Sequence, residues 1–380
     1  MSRTSIPYGR QEISQEDIDA VVQVLRSDWL TTGPAVDTFE EEFKKAVGAP
    51  HAVAVSNGTA ALHTAMHALK ISHGDEVIVP AMTFAATANA VLYCGGTPVF
   101  ADSNPNTLLI DAKSVEEKIT PRTKAVVAVD YAGSPCDYDK LWDLTKSRGL
   151  ALIADASHSV GGSYKGKPVG QLADLTTFSF HPVKIITSGE GGMVTTPRAD
   201  LAERMGAFRN HGITTDHRQR EETGAWFYEM RELGYNYRLT DIQCALGTSQ
   251  LKNLNKWVKK RGELANLYRR RLSDIPGCRP LEAMTDRVHA YHLFVVQIES
   301  SKVNRDVVFK SMRELGIGVN VHYIPVYLHP YYRDQLGLKP GLCPKAEAAY
   351  EKILTLPLFP AMTENDLNFV CESLSRSLLN

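Results

Sequence analysis

The sequence predicts an α/β fold, in which a mostly parallel sheet is flanked by helices and a smaller α+β domain follows at the carboxyl end. From residue 51 onward, short apolar segments alternate with segments of helical periodicity. Strands that are joined by helical crossovers form parallel sheets covered on both faces. The 380 residues, 43% of them hydrophobic, can fill a large core and a smaller one. We therefore expect a large domain over residues 1–250 and a small domain over residues 251–380.

Hydrophobic spacing assigns the elements in order. A capping box at residues 14–17 predicts the start of the first helix. The apolar runs predict strands over residues 52–55, 76–80, 98–101, 125–130 and 151–155, with helices over 59–69, 84–94 and 138–148. Beyond the large domain, the pattern predicts strands over residues 289–298 and 318–323, with a helix over 303–315 between them.

Composition excludes several classes of protein. The chain has 42 basic and 43 acidic residues, and this net charge of -1 offers no field that would attract nucleic acid or an anionic membrane. Its six cysteines lie far apart and form no C-x-x-C pair or zinc-type cluster. The amino terminus lacks an apolar signal core, and no run of about 18 apolar residues would span a membrane. We expect a cytoplasmic protein without a metal site and without nucleic-acid or membrane partners.

One lysine follows a predicted buried strand. The segment TFSFHPVK (residues 177–184) is interrupted by Pro182, and the glycine-rich TSGEGG (residues 187–192) comes next. A lysine that is shielded from water has a lowered pKa and becomes a nucleophile toward aldehydes, as in Schiff bases with pyridoxal phosphate. Taken alone, the segment is more plainly a strand end with a solvated Lys184 and a glycine turn, because short motifs are weak evidence.

The segment SNGT (residues 56–59) lies between a predicted strand and a predicted helix. Backbone N–H groups at the start of a helix can hold a phosphate, because the helix dipole favours negative charge and a glycine admits close approach. Gly58 and Thr59 are therefore candidate phosphate ligands. An ordinary helix cap at Ser56 or Thr59 would give the same pattern.

Two further segments offer groups for a heteroaromatic ring. In DASH (residues 155–158), Asp155 ends a strand, and a carboxylate there can keep a pyridinium nitrogen protonated so that the ring acts as an electron sink. His158 could bond a ring substituent or be a structural histidine. Phe84 could stack on the ring, which adds about 0.5–1.5 kcal/mol beyond burial, or could be a core phenylalanine at the head of a helix.

The phosphate cradle, aromatic residue, aspartate and lysine occur in that order along the chain. This order resembles the aspartate-aminotransferase fold, fold type I of the pyridoxal phosphate enzymes, and the motifs resemble the DegT/DnrJ/StrS family of sugar-nucleotide aminotransferases. The resemblance is carried by SDWLTTGP (27–34), SNGT (56–59), DASH (155–158), FSFHPVK (178–184), GEGG (189–192) and GYNYR (234–238). HPVK, the opening loop and VHYIP (321–325) are most similar to the branch that makes the 4-amino sugar precursor of pseudaminic acid, a UDP-linked N-acetyl-altrosamine derivative.

The resemblance implies a role for each matching residue. Lys184 would form the Schiff base with pyridoxal 5'-phosphate and then carry a proton between substrate and cofactor. Asp155 would pair with the ring nitrogen, and His158, where several relatives carry glutamine, would support the ring oxygen. The large domain would bind the cofactor, whose ring and phosphate would be held by Phe84, Gly58, Thr59, Ser179 and Asn236. In the family this asparagine comes from the partner subunit, so the resemblance implies a homodimer with shared sites.

The implied reaction moves an amino group from L-glutamate, through pyridoxamine 5'-phosphate, to a UDP-linked 4-keto-6-deoxy-N-acetylhexosamine. The sugar nucleotide would lie against Trp29, Thr31, Arg238, His322 and Tyr323. Three alternatives share the fold: a pyridoxamine-phosphate-dependent sugar dehydratase, a cysteine desulfurase or decarboxylase, and a non-catalytic regulator that binds a nucleotide sugar. Lys184 argues against the dehydratase, because that branch typically has histidine at this position.

Overall fold

A seven-stranded sheet organises the larger part of the molecule. The computed structural model describes residues 5–215, 218, 220 and 224–379. The strand order is β1-β9-β8-β5-β4-β2-β3, in which β9 is antiparallel to both neighbours and the other pairs are parallel. All strands except β9 therefore point in one direction. The strands are β1 (His51–Val55), β2 (Glu76–Pro80), β3 (Thr97–Ala101), β4 (Thr123–Val129), β5 (Ala151–Asp155), β8 (Leu175–Ser179) and β9 (Gly192–Thr196).

Helices flank this sheet, as the alternating sequence pattern predicted. The first begins at the predicted capping box, where the Asp17 backbone N–H donates to Ser14 Oγ at 3.3 Å and the Asp17 carboxylate accepts the Ser14 N–H at 2.9 Å. The helices of this part are α1 (Gln15–Leu25), α2 (Pro34–Val47), α3 (Gly58–Ala68), α4 (Ala85–Tyr93), α5 (Ala112–Lys118), α6 (Tyr138–Lys146), α7 (Ala199–Phe208) and α8 (Asp241–Leu251).

The carboxyl-terminal part has a second, three-stranded sheet of order β10-β12-β13. A small third sheet has the order β11-β6-β7, so that β11 of the carboxyl-terminal part joins two strands that come earlier in the chain. The strands are β6 (Ser163–Tyr164), β7 (Lys167–Pro168), β10 (Cys278–Pro280), β11 (Arg287–Val288), β12 (Phe294–Ile298) and β13 (Ile353–Leu356). The helices are α9 (Leu254–Leu272), α10 (Arg305–Glu314), α11 (Pro330–Leu336), α12 (Pro344–Tyr350) and α13 (Glu364–Leu379).

Helix α9 contributes to two hydrophobic cores. Leu254 and Trp257 pack in the core of the large sheet, whereas Leu264 and Tyr268 pack in the core of the three-stranded sheet. Between them lies the fully buried Arg261, whose Nη1 donates to the carbonyl oxygens of Tyr291 at 3.2 Å and Leu358 at 2.9 Å. The predicted division of the chain between residues 250 and 251 stays a prediction.

The sequence predicted β1 to β5 to within two residues at each end. The predicted strand over 289–298 is wrong in its first half, because β12 begins at Phe294. The predicted strand over 318–323 is also wrong. Only Asn320 forms a bridge to β13, through Thr355, while the Gly318 N–H donates to the carbonyl of Ile6 at 2.6 Å. Among the described residues, no helix has the length and apolar character needed to cross a membrane.

Candidate active site

A cavity of about 670 Å³ opens where the parallel strands of the large sheet end. The last residues of β4, β5 and β8, which are Val129, Asp155 and Ser179, all line it. The turn after β1 lines it as well, through residues 57–60. Ligands of open α/β sheets bind at the carboxyl ends of the strands. The cavity is therefore the site at which to test each predicted residue.

Lys184 reaches this cavity from an irregular loop after β8. The Phe180 N–H donates to the carbonyl of Gly191 at 2.8 Å, which joins the two ends of the loop. Within the loop, the Lys184 N–H donates to the carbonyl of His181 at 2.9 Å. Burial lowers the pKa of Lys184 to about 8, and the negative charge of Asp155 opposes this shift. The structure thus gives Lys184 the property of a nucleophilic amine: a larger neutral fraction near neutral pH than a solvated lysine has.

Asp155 presents a buried carboxylate to the same cavity, with 5% of the residue exposed. Its Oδ2 accepts the Thr87 hydroxyl at 2.9 Å, and its Oδ1 accepts the Ser157 backbone N–H at 3.2 Å. A carboxylate oxygen accepts more than one hydrogen bond, so capacity remains for a proton on a ring nitrogen.

Imidazole rings also line the cavity. His158 Nε2 lies 3.1 Å from the hydroxyl of Tyr323, and the ring of His292 lies 4.4 Å from that of His158. Burial holds the pKa of His158 well below its usual range, and burial lowers the pKa of His322 to about 4. These rings are therefore neutral at pH 7. His158 Nδ1 is buried and has no hydrogen-bond partner among the described residues.

The turn from β1 into α3 is built for a close approach. Asn57 caps the helix by accepting the Ala60 N–H on its side chain at 2.8 Å. A Cβ on Gly58 would lie 2.8 Å from the Cβ of Ser179, so only glycine fits beside that hydroxyl. The first N–H groups of a helix have no intrahelical acceptor and can bind an anion.

The cavity fits pyridoxal 5'-phosphate on the evidence of its own side chains. Gly58 and Ser179 form a tight corner for a phosphate, Asp155 provides an acceptor for a ring nitrogen, and Lys184 provides an amine of lowered pKa. The Nδ1 of the buried His158 has no partner among the described residues, and because an unpaired buried polar atom is costly, it calls for a polar group on a bound molecule.

The predicted residues fall into two groups. Nine of them line the cavity: Gly58, Thr59, Phe84, Asp155, His158, Ser179, Lys184, His322 and Tyr323. Trp29, Thr31, Asn236 and Arg238 lie outside it in a single chain. Thr31 forms an isolated β-bridge with Thr240, and Asn236 forms one with Asn210. Arg238 Nη1 donates a hydrogen bond to Asn210 Oδ1 at 2.8 Å, and both residues line a second cavity of about 480 Å³. The roles assigned to both groups stay predictions.

Sequence reasoning missed several residues that line the cavity. Thr87 bonds Asp155, Tyr8 packs its ring 5.6 Å from that of His322, and His292 lies beside His158. Thr87 follows Thr83-Phe84 by one helical turn, and that spacing was the available signal. Tyr8 is remote in sequence from the other cavity residues, and no pattern pointed to it.

The fold and this cavity define the class: an aminotransferase-type α/β enzyme with a lysine and a strand-end aspartate on one cavity. Residues 11–375 match the model of the DegT/DnrJ/EryC1/StrS aminotransferase family. The chain belongs to this family.

Individual relatives are similar over nearly their full length. Spore coat polysaccharide biosynthesis protein SpsC of Bacillus subtilis is 42% identical over 372 residues, which are 97% of this chain and 96% of that protein. The PMP-form structure of Spr1654 from Streptococcus pneumoniae has a TM-score of 0.93 at 30% identity, covering 98% of this chain and 99% of that one. PseC of Helicobacter pylori, an aminotransferase involved in the biosynthesis of pseudoaminic acid, has a TM-score of 0.91 at 32% identity, covering 99% and 100%.

Proposed function

We propose that this protein is a pyridoxal 5'-phosphate-dependent aminotransferase that transfers the amino group of L-glutamate to a UDP-linked 4-keto-6-deoxy-N-acetylhexosamine, as a cytoplasmic homodimer. The observation that carries the proposal is that Lys184 and the buried Asp155 line the same cavity. The lowered pKa of Lys184, about 8, makes its amine reactive there. The similarity to PseC supports a sugar of the pseudaminic acid pathway as acceptor. The PMP-form of the Streptococcus protein supports a cofactor that carries the amino group between two substrates.

When bound, pyridoxal 5'-phosphate supplies an electrophilic carbon and a ring that accepts the electron pair released at the substrate carbon. Lys184 acts first as nucleophile and then as the base and acid that moves one proton at the substrate carbon through its Nζ. Asp155 keeps the ring nitrogen protonated. Asp155 is buried and Lys184 is half-buried, and this limited access of water strengthens their electrostatic interaction with the bound molecule.

The buried histidines of the cavity, His158, His292 and His322, provide neutral hydrogen-bonding groups. Because burial lowers the pKa values of His158 and His322, both rings are weaker bases than Lys184 and do not compete with it for a proton from the substrate. The Tyr323 hydroxyl is placed at 3.1 Å from His158 Nε2. In this proposal His158 supports the ring oxygen of the cofactor, while His322 and Tyr323 face the sugar.

A second copy of the chain completes each site in this proposal. Among the residues described for one chain, no arginine lines the large cavity, so a diphosphate needs a cation from elsewhere. Asn236 and Arg238 follow a segment with large exposed side chains, among them Trp226 at 84% and Leu233 at 74% exposure. Exposed apolar patches of this kind mark protein interfaces. The second copy would bring its own Asn236 to the phosphate and its Arg238, with Trp29 and Thr31, to the nucleotide.

The decisive experiment is a substrate panel. Purified protein is loaded with pyridoxal 5'-phosphate and incubated with L-glutamate and a series of UDP- and dTDP-linked keto sugars. The expected result is 2-oxoglutarate, measured by a coupled assay, together with the keto-to-amine mass change of one UDP-linked 4-keto sugar. Lys184→Ala serves as the inactive variant, and Lys259→Ala, at an exposed position of α9, serves as the matched control. Amination of dTDP sugars alone would overturn the proposed acceptor, and no amination of any sugar would overturn the proposed function.

A further inference from the structure

Two buried threonines connect the start of α4 to the carboxylate of Asp155. Thr83 and Thr87 are 2% and 1% exposed, and their hydroxyl oxygens lie 2.9 Å apart. The Thr87 hydroxyl also lies 2.9 Å from Asp155 Oδ2. Both threonines line the large cavity. The three residues thus form one continuous line of hydrogen bonds at the edge of the site.

The direction of this line follows from the number of protons available. A hydroxyl has one proton to donate, and a carboxylate accepts only. The Thr87 hydroxyl therefore donates its one hydrogen bond to Asp155, and the Thr83 hydroxyl must donate to Thr87. The two O–H dipoles point the same way, toward the carboxylate, and aligned hydrogen bonds in a buried site strengthen one another.

We propose that Thr83 and Thr87 form a positioning relay that fixes the rotation of the Asp155 carboxylate and stabilises its negative charge for the ring nitrogen of the cofactor. This inference rests on the proposed function for its chemistry. The hydroxyl of Thr87 occupies one side of Oδ2, and the Ser157 N–H occupies one side of Oδ1. Both oxygens of the carboxylate are thereby held in place, and its rotation is no longer free.

The relay also links two parts of the cofactor site. Phe84, the predicted stacking residue, lies between the two threonines in sequence and is the N-cap residue of α4. The segment before it is anchored, because the Val326 N–H donates to the carbonyl of Ala81 at 3.0 Å. One rigid turn therefore sets both the aromatic surface for the ring and the donor to its aspartate.

The test compares three threonine-to-valine variants of the full-length protein. Thr87→Val keeps the branched shape and removes the donor, and Thr83→Val removes only the outer member of the relay. Thr64→Val is the matched control, because Thr64 is fully buried on α3 and its hydroxyl has no partner among the described residues. Because a hydrogen bond to a charged group contributes substantially, we expect Thr87→Val to lower kcat roughly 10- to 100-fold with the KM for the sugar nucleotide unchanged.

We expect the loss of kcat to be largest in Thr87→Val, smaller in Thr83→Val and absent in Thr64→Val. Thr87→Ser should retain a kcat close to that of the wild type because serine keeps the hydroxyl donor. The dissociation constant of pyridoxal 5'-phosphate, titrated by fluorescence of the apoprotein without any sugar, should rise in the same order. Equal cofactor affinity in wild type and Thr87→Val would refute the relay, as would equal losses in Thr87→Val and Thr64→Val. A wild-type protein that binds cofactor but aminates no sugar would refute the proposed function, and the affinity series would still decide the relay.

Discussion

Substitution of Gly58 by alanine tests whether the turn into α3 is the phosphate corner. A Cβ at this position would lie 2.8 Å from the Cβ and 3.1 Å from the Oγ of Ser179, and its third contact is the Ser179 Cα at 3.5 Å. One of the two backbones must move to relieve this overlap. Overpacking of this kind costs about 1–3 kcal/mol. The displaced atoms belong to the proposed phosphate contacts, and a hydrogen bond to a charged group contributes about 1.5–3 kcal/mol. We therefore expect cofactor affinity to fall roughly 10- to 150-fold, at about 1.4 kcal/mol for each factor of ten.

The assay is the titration of apoprotein with pyridoxal 5'-phosphate, followed by thermal unfolding of each apoprotein. Gly262→Ala is the control, because Gly262 lies within α9 and an added Cβ meets no atom within 4 Å. Alanine there should stabilise the helix by about 0.5–1 kcal/mol and leave cofactor affinity unchanged. Ser179→Ala separates the two causes, since it removes the hydroxyl and retains the Cβ. Wild-type cofactor affinity in Gly58→Ala would refute the placement of the phosphate.

Three further predictions concern other parts of the site. Lys184→Ala should bind the cofactor non-covalently and lose transamination, so that borohydride reduction traps no cofactor on the protein; covalent trapping at another lysine would contradict the assignment. Asn236→Ala should raise the cofactor dissociation constant, and mixing it with Lys184→Ala should restore part of the activity only if sites are shared between subunits. Because burial lowers the pKa of Lys184 to about 8 from 10.5, the unfolded apoprotein binds more protons between these values. The free energy of unfolding of the wild-type apoprotein, measured with denaturant, should therefore rise with pH across that interval more than that of the Lys184→Met apoprotein. Parallel pH profiles of the two proteins would show that the amine is not desolvated.

The parallel part of the fold was predictable because its signals are local. Short apolar runs bounded by polar turns predicted β1 to β5, and helical spacing followed the first two of them. Residues 318–323 have the alternating apolar pattern of a strand, yet Gly318 is bound to the backbone near the amino terminus. That pairing joins segments about three hundred residues apart, and no local pattern encodes it. β9 was missed because its glycine-rich start read as part of the lysine loop.

The site was predictable where chemistry depends on residue type at a strand end. Asp155 and Ser179 are the last residues of their strands, and this position alone brings them to one edge of the sheet. The Thr87 hydroxyl meets Asp155 across 68 positions of sequence. Threonines are common at helix starts for other reasons, so their role emerges only when the strands are placed side by side.

Helix α9 constrains how molecules enter and leave the cavity. Its ends are embedded in different cores, and Arg261 at its middle ties the carbonyls of Tyr291 and Leu358 together. Both carbonyls belong to the carboxyl-terminal core, and the same helix continues into the core of the large sheet. Pulling the carboxyl-terminal core away from α9 would leave a buried guanidinium without acceptors, which is far more costly than rotating surface side chains. We expect this enzyme to exchange its substrates through the motion of exposed side chains that line the cavity, such as that of Glu190, with the two halves remaining locked together throughout turnover.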